Sequence, residues 1–426
     1  MIQTLRNAWK IPDLRKKILY TILLLVVFRF GSIIPVPGLD KAVLQSLVGA
    51  EGSLFGFFDI ISGGAFGNAT IFAMSITPYI NASIILQLLT IAIPALERLA
   101  KEGEEGRKKI AQITRYVTVV LGFIQAAGLY AALGTSVKEP GILSFVVITL
   151  TFTAGTAFLM WLGELITEKG VGNGISLIIF IGIISRLDDG VKAIYNYMAG
   201  AHFSFWSILA MVILVAVSLL LVGFVVSVNE AERRIPVQYA KRVVGRKMYG
   251  GQSTYIPLKV AMAGVMPIIF AMSILSFPAT LANLFGQPAA GTFWFKFLSV
   301  FNPNGWVYAI LYFILIIFFT YFYTSIQFNP IEMSNNIKRN GGFVQGIRPG
   351  KPTSDYIAKV LSKVTLIGAL AIAIIAVFPI ALNGAIPSMQ ISLGGTSVLI
   401  AVSVALETTK QLESQMLMRH YKGFLE

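Results

Sequence analysis

Ten long apolar stretches, almost free of ionisable side chains, run through this chain, and the loops between them carry a one-sided charge. A hydrocarbon core about 30 Å thick needs roughly 20 apolar residues per helical crossing. Inside lipid every backbone N–H and C=O must find an internal partner, and a long apolar run achieves this only as a helix. A membrane β-barrel would show short alternating segments instead, and none is present. The stretches predict spans at about 18–34, 70–92, 111–133, 142–163, 174–187, 206–228, 259–280, 306–327, 360–381 and 395–409. The fifth and tenth are short. The expected fold class is therefore an all-α polytopic membrane protein.

The sequence has no cysteine, so disulfides and thiolate metal sites are excluded. His202 and His420 lie in different loops, which argues against an imidazole metal centre, and no cofactor is expected. Arg6, Lys10, Arg15, Lys16 and Lys17 precede the first span much as a signal peptide's basic region would. No small-x-small cleavage pattern follows, so a retained first helix is expected.

Charge sets the expected orientation. With the N-terminus inside and the loops assigned alternately, the inside segments hold 28 of the 34 Lys and Arg residues. The outside segments hold Lys41, Lys138, Arg186, Lys192 and Lys296, and Arg29 lies within the first span. This bias predicts cytoplasmic N- and C-termini. Two inside loops, 229–258 and 328–358, are far longer than topology needs. Both are basic and punctuated by Gly and Pro. Long loops are often functional, and these suit a cytoplasmic partner with an acidic surface, such as ribosomal RNA or an ATPase. Docking of that kind would be salt-sensitive.

Ten spans divide into two sets of five, and an odd number per half puts the halves in opposite orientation. Any structural relation between them would be an inverted repeat. One segment breaks the pattern. Residues 53–69, SLFGFFDIISGGAFGNA, are too short to cross and are interrupted by Asp59, Gly63, Gly64 and Gly67. They suit either a short re-entrant helix or an interfacial helix on the outer leaflet. Span interiors offer almost no charge: Arg29 is near an outer end, and Glu164 and Glu407 sit at cytoplasmic ends. A coupled transporter usually keeps ionisable groups near the midplane. HExxH, GxSxG and paired intramembrane aspartates are absent, as is the Walker-type GxxxxGK[ST]. Residue patterns alone leave a passive channel and a small-solute transporter open, and disfavour an intramembrane enzyme.

Several ordered segments carry a resemblance. They are FRFGSIIPVPG (28–38), ITPYINASIILQLLT (76–90), KEGEEGRKKIAQITRY (101–116), FLMWLGELITEKGVGNGISLIIF (158–180), QSTYIPLKVAMAGVMPIIFA (252–271), FNPIEMSNNIKRNGGFVQGIRPGKPT (328–353) and LGGTSVLIAV (393–402). On these the chain resembles the SecY family, large subunits of bacterial protein-conducting channels. The resemblance implies two inverted five-helix halves, 1–190 and 191–426, around a central pore. It implies an aliphatic constriction at Ile76, Ile80, Ile179, Ile183, Val265, Ile269 and Ile400. It implies a short re-entrant plug helix at about 54–66, including Leu54, Phe57, Asp59, Ile60, Gly63 and Gly64. Asp59 is then expected on a face that meets water.

A lateral gate is implied between spans two, three, seven and eight, with Asn81, Gln87, Ser276 and Phe277 singled out. Arg348, in GIRPG, matches the family's arginine in the second long cytoplasmic loop. Arg233, Arg234, Lys241, Arg242, Arg246 and Lys247 occupy the first, and all are assigned to partner docking. The implied partners are SecE-like and SecG-like small membrane subunits, the SecA motor ATPase, the ribosome, signal sequences with nascent polypeptides, and membrane lipid. The implied location is the bacterial cytoplasmic membrane.

Overall fold

A computed structural model describes residues 2–49, 59, 62–186, 192, 205–239, 242–244, 247–249, 253–285, 292–301, 305–385 and 395–422. Each of the ten apolar stretches carries a helix. In chain order the first half holds α1 (Ile2–Lys10), α2 (Pro12–Gly31), α3 (Lys41–Gly49), α4 (Thr77–Ala92), α5 (Pro94–Lys101), α6 (Glu104–Ala132), α7 (Ile142–Lys169) and α8 (Gly174–Ile184). The second holds α9 (Phe205–Glu230), α10 (Met266–Phe285), α11 (Phe293–Val300), α12 (Trp306–Gln327), α13 (Pro330–Arg339), α14 (Lys351–Ala385) and α15 (Gly395–Lys422). Among the described residues, five helical stretches are long and apolar enough to cross a membrane: Glu104–Ala132, Ile142–Lys169, Met211–Glu230, Trp306–Arg339 and Lys351–Phe378. Counting the bent pair α4 and α5 as one crossing makes six.

Prolines mark the helix starts. Pro12, Pro78, Pro94 and Pro330 each occupy the first turn, where the missing N–H costs nothing. Pro94 also breaks the chain: α5 leaves α4 at 101°. The second apolar stretch does not start as helix at 70. Residues 71–76 run as turns, Thr70 bridges to Pro35, and the helix begins at Thr77. Ser75 has φ +52°, a left-handed conformation that a right-handed helix cannot contain. α8 is capped by Asn173, whose side chain accepts from the Ile175 and Ser176 N–H groups.

Two apolar clusters are the largest among the described residues. One gathers α10, α12 and α14 around Phe270, Leu275, Tyr312, Ile316, Phe319 and Ile372, and draws in Ile84 of α4. The other gathers α2, α7 and α8 around Phe28, Leu159, Leu162, Ile166, Leu177 and Ile178, and draws in Ile400 and Val404 of α15. Between the two sets of helices, α10 packs on α4 and α6, and α8 packs on α15. The periphery is itself apolar: Phe30, Ile142, Leu220 and Ile367 are exposed. Helices apolar on every side suit a lipid surround.

The helical fold carries one small addition. The two long loops are neither independent nor structureless. β1 (Glu232–Tyr239), β4 (Ser253–Lys259) and β5 (Gly342–Val344) form an antiparallel sheet in the order β4-β1-β5, so the first loop supplies two strands and the second loop one. β2 (Arg242–Val244) and β3 (Lys247–Tyr249) pair as a separate hairpin. Ile235 and Val237 of β1 point inward with period two, onto Leu258, Val344, Ile337 of α13 and Ile357 of α14. The sheet is a minor element on a helical protein.

Candidate functional site

Four separate parts of the chain converge on one apolar site. Ile76 ends the turn segment and caps α4, and Ile80 follows one turn on, its N–H donating to the Ile76 carbonyl at 3.0 Å. Ile179 and Ile183 lie four apart on α8 and share a face. Val265 precedes α10, Ile269 sits in its first turn, and Ile400 comes from α15. Ile76, Ile179, Ile183 and Ile400 are buried members of a single cluster, and Ile80, Val265 and Ile269 pack against it. Ile80 and Val265 also touch the other large cluster, so the two apolar clusters meet at these side chains. No member of the seven is ionisable, and every one is β-branched, hence stiff at χ1.

Comparison with known proteins gives this convergence a family. The sequence model described as SecY matches residues 70–409. A protein translocase subunit SecY from Halalkalibacterium halodurans is 46% identical over 435 residues, covering 100% of both chains. The chain belongs to the SecY family. Among solved structures, a SecY channel described with a plug domain that stabilises its closed state aligns with TM-score 0.63 at 19% identity, over 94% of this chain and 92% of that one. Canine Sec61, in a ribosome-channel complex from the endoplasmic reticulum, aligns with TM-score 0.59 at 17% identity, again over 94% and 92%. These two likenesses show a shared fold.

Near this cluster, the assigned plug residues Leu54, Phe57 and Ile60 lie outside the described residues. Asp59, Gly63 and Gly64 are described, and Ala65 enters the same cluster as Ile179 and Ile183. Residues 62–69 run as turns and are largely buried, unlike an interfacial helix. Asp59 does not meet water. It is 4% exposed, and its Oδ2 is ion-paired with Arg186 Nη1 at 2.8 Å. A buried carboxylate needs such a partner, because an unpaired one carries a large desolvation cost. From sequence Arg186 was only one of the outside charges, since nothing in GIISR distinguishes a pairing arginine from a topogenic one.

At the assigned gate, Asn81 and Gln87 are half-buried on α4, and Ser276 is half-buried on α10, bonding its own helix at the Ser273 carbonyl. Phe277 lies on α10, and its side chain falls outside the described set. Gln87 approaches Tyr323 of α12, a contact across the two sets of helices that sequence reasoning missed. Gln87 Oε1 is nonetheless buried with no hydrogen bond among the described residues. On the N-terminal side Arg115 Nε donates to Glu164 Oε1 at 2.8 Å, tying α6 to α7.

The basic face is built on the small sheet. Arg233 and Arg234 are exposed on β1. Arg234 donates to Glu232 at 2.6 Å and sits 4.7 Å over the Tyr255 ring. The hydrogen bond to Glu232, then the neighbouring Tyr255, pushes its pKa up from an already high value, so it stays cationic. Arg242 and Lys247 lie on the hairpin, while Lys241 and Arg246 lie outside the described residues. Arg348 is exposed in a turn flanked by Gly346 (φ +79°) and Gly350 (φ +100°). Ser334 bonds the Gly350 carbonyl at 2.8 Å and Thr353 bonds the Arg348 carbonyl at 2.8 Å, so the turn is braced on both sides.

Proposed function

We propose that this SecY-family chain is the pore of a protein translocase, a channel subunit and not an enzyme. Unfolded polypeptide passes through the waist of Ile76, Ile80, Ile179, Ile183, Val265, Ile269 and Ile400. Apolar helices leave sideways between α4 with α6 and α10 with α12. The observation that carries the reading is the gathering of seven aliphatic side chains, from four distant parts of the sequence, where two helix sets meet.

The physical argument is one of wetting. A narrow ring of aliphatic side chains excludes water and so blocks ions without using charge. A polypeptide displaces those side chains and offers its own apolar groups in exchange. The gate reading rests on Gln87 and its neighbours, because polar contacts between membrane helices are weak, about 0.6 kcal/mol on average. Such a seam parts when a signal sequence binds.

The chain has no nucleotide motif, so energy comes from a partner. In this reading the SecA motor or a ribosome docks on the sheet, hairpin and Arg348 turn. SecE-like and SecG-like subunits complete the membrane assembly. The termini and the sheet face the cytoplasm of a bacterial cell, as the charge bias requires.

Vesicles containing this chain, its SecE-like partner and the motor should protect a reporter preprotein from protease only with ATP. Equal protection in vesicles lacking the chain would defeat the reading.

A further inference from the structure

We propose that α11 is a membrane-interface foot: its aromatic side lies in the phospholipid headgroup layer and holds the far ends of α10 and α12 at that level. This goes beyond the channel reading and takes from it only that the chain spans a membrane.

α11 (Phe293–Val300) joins the ends of α10 and α12 that lie away from the small sheet. α10 follows β4 closely, and α12 returns to α13, whose Ile337 packs beneath β1. The eight residues of α11 rise about 12 Å, far short of a crossing. Yet their sequence, FWFKFLSV, is almost wholly apolar. Phe293 is 77% exposed and Trp294 64%, and Phe295 and Phe297 are exposed as well. A contiguous patch of bare rings marks a surface that meets a membrane or another protein.

Residue spacing sorts the helix into sides. Phe293 and Phe297 are four apart with Trp294 beside them, and Lys296 and Ser299, three apart and also exposed, lie opposite. The rings form a connected chain. Centroids are 6.4 Å apart from Phe293 to Trp294, 5.8 Å from Trp294 to Phe297 and 5.2 Å from Phe297 to Phe301. Each pair is tilted or edge-on, as aromatic quadrupoles prefer. Phe301 in turn packs against the cluster of α10, α12 and α14. The bare rings are thus fastened to the helices they connect.

Chemistry names the occupant. Aromatic rings concentrate at the membrane–water boundary, where the body of the ring is dry and a polar edge stays wet. Charge argues the same way. Lys296 is the only Asp, Glu, Lys or Arg between Lys259 and Glu332. The connector therefore offers a protein partner no charge pattern to read. A lone lysine on a long stem suits a lipid phosphate. The exposed apolar side of α12 begins close by in sequence. Trp306 is exposed, and Val307, Ile310 and Ile314 continue an exposed stripe with spacings of three and four. The foot sits where that stripe meets the headgroups.

The test reads depth in the whole translocase, reconstituted in phosphatidylcholine–phosphatidylglycerol vesicles. The chain has no cysteine, so Phe293→Cys, Lys296→Cys and Phe297→Cys each take an environment-sensitive dye with no other change to it. The quenchers are lipids with a nitroxide near the headgroup, lipids with one at the chain end, and aqueous iodide. Dyes at Phe293→Cys and Phe297→Cys should lie about 5–10 Å into the headgroup and acyl boundary. The dye at Lys296→Cys should be quenched chiefly by iodide. Adding Trp294→Asp should shift the Phe297→Cys dye toward iodide, and Trp294→Phe should leave it in place. Should a dye disturb assembly, brominated-lipid quenching of unlabelled protein, read as the difference between wild type and Trp294→Phe, gives the depth of Trp294 itself. Iodide reaching all three dyes alike places the helix in water. Quenchers reaching neither aromatic position place it under another protein chain. Either result overturns the foot and leaves the channel reading intact. Preprotein protection plays no part in the depth reading, so loss of the channel reading leaves the foot standing.

Discussion

At the scale of single residues, position along the chain says little about role. Ile80 and Val265 look like any other aliphatic residues in a membrane helix, yet they are where two apolar clusters touch. Replacing Ile80 or Ile269 by Asn puts a hydrogen-bonding group into the proposed constriction. The expected result is a raised resting ion conductance in planar bilayers and weaker discrimination among signal sequences. Unchanged conductance would remove those residues from the ring. Close packing makes a second prediction. A Cβ at Gly155 of α7 would lie 2.0 Å from the Ile71 carbonyl. Gly155→Ala should therefore cost about 1–3 kcal/mol through overpacking. It should appear as a lower unfolding midpoint in detergent. Asp59 shows what sequence misreads at this scale. A lone carboxylate in an apolar segment suggests contact with water, and only the fold supplies Arg186.

At the scale of elements, the helices were legible and the sheet was not. Apolar runs about 20 residues long admit one backbone solution in lipid, so each of the ten stretches carries a helix. Their ends were less legible. Span two starts late because Ser75 is left-handed and Pro78 favours a first-turn position. α8 spans only 11 residues, which rise about 16 Å. The sheet escaped notice because its strands are short and its third strand comes from a loop far along the chain. Val237→Asp would place a charge in the small core beneath β1. Hydrogen exchange should then speed up together in 232–239 and 342–344, while α7 and α12 stay protected. Exchange confined to one loop would show that the sheet does not act as a unit. Arg348→Glu leaves this core alone and reverses an exposed charge. Motor- or ribosome-driven export should fall while membrane insertion of the protein itself persists.

At the scale of the whole molecule, the meeting of the two helix sets is what matters. α10 packs on α4 and α6, and Gln87 approaches Tyr323 of α12 with its oxygen otherwise unsatisfied. Gln87→Leu removes that buried polar atom. If α4 and α12 border the proposed gate, their contact should become more stable, and marginally apolar test segments should enter lipid less often. Glycosylation-site mapping of such segments measures the change, and an unaltered inserted fraction would place Gln87 outside the gate. Family membership follows from similarity over the whole chain. What the amino-acid order determined by itself was a helical membrane protein, where its apolar helices fall, and a charge bias that predicts its orientation. These follow from local constraints: backbone satisfaction in lipid, and the cost of moving Lys and Arg across it. The tertiary structure alone decided which isoleucines face one another, which charge Asp59 meets, and how two distant loops share one sheet. Those are contacts between residues tens to hundreds of positions apart, and no local rule of hydropathy or spacing encodes them.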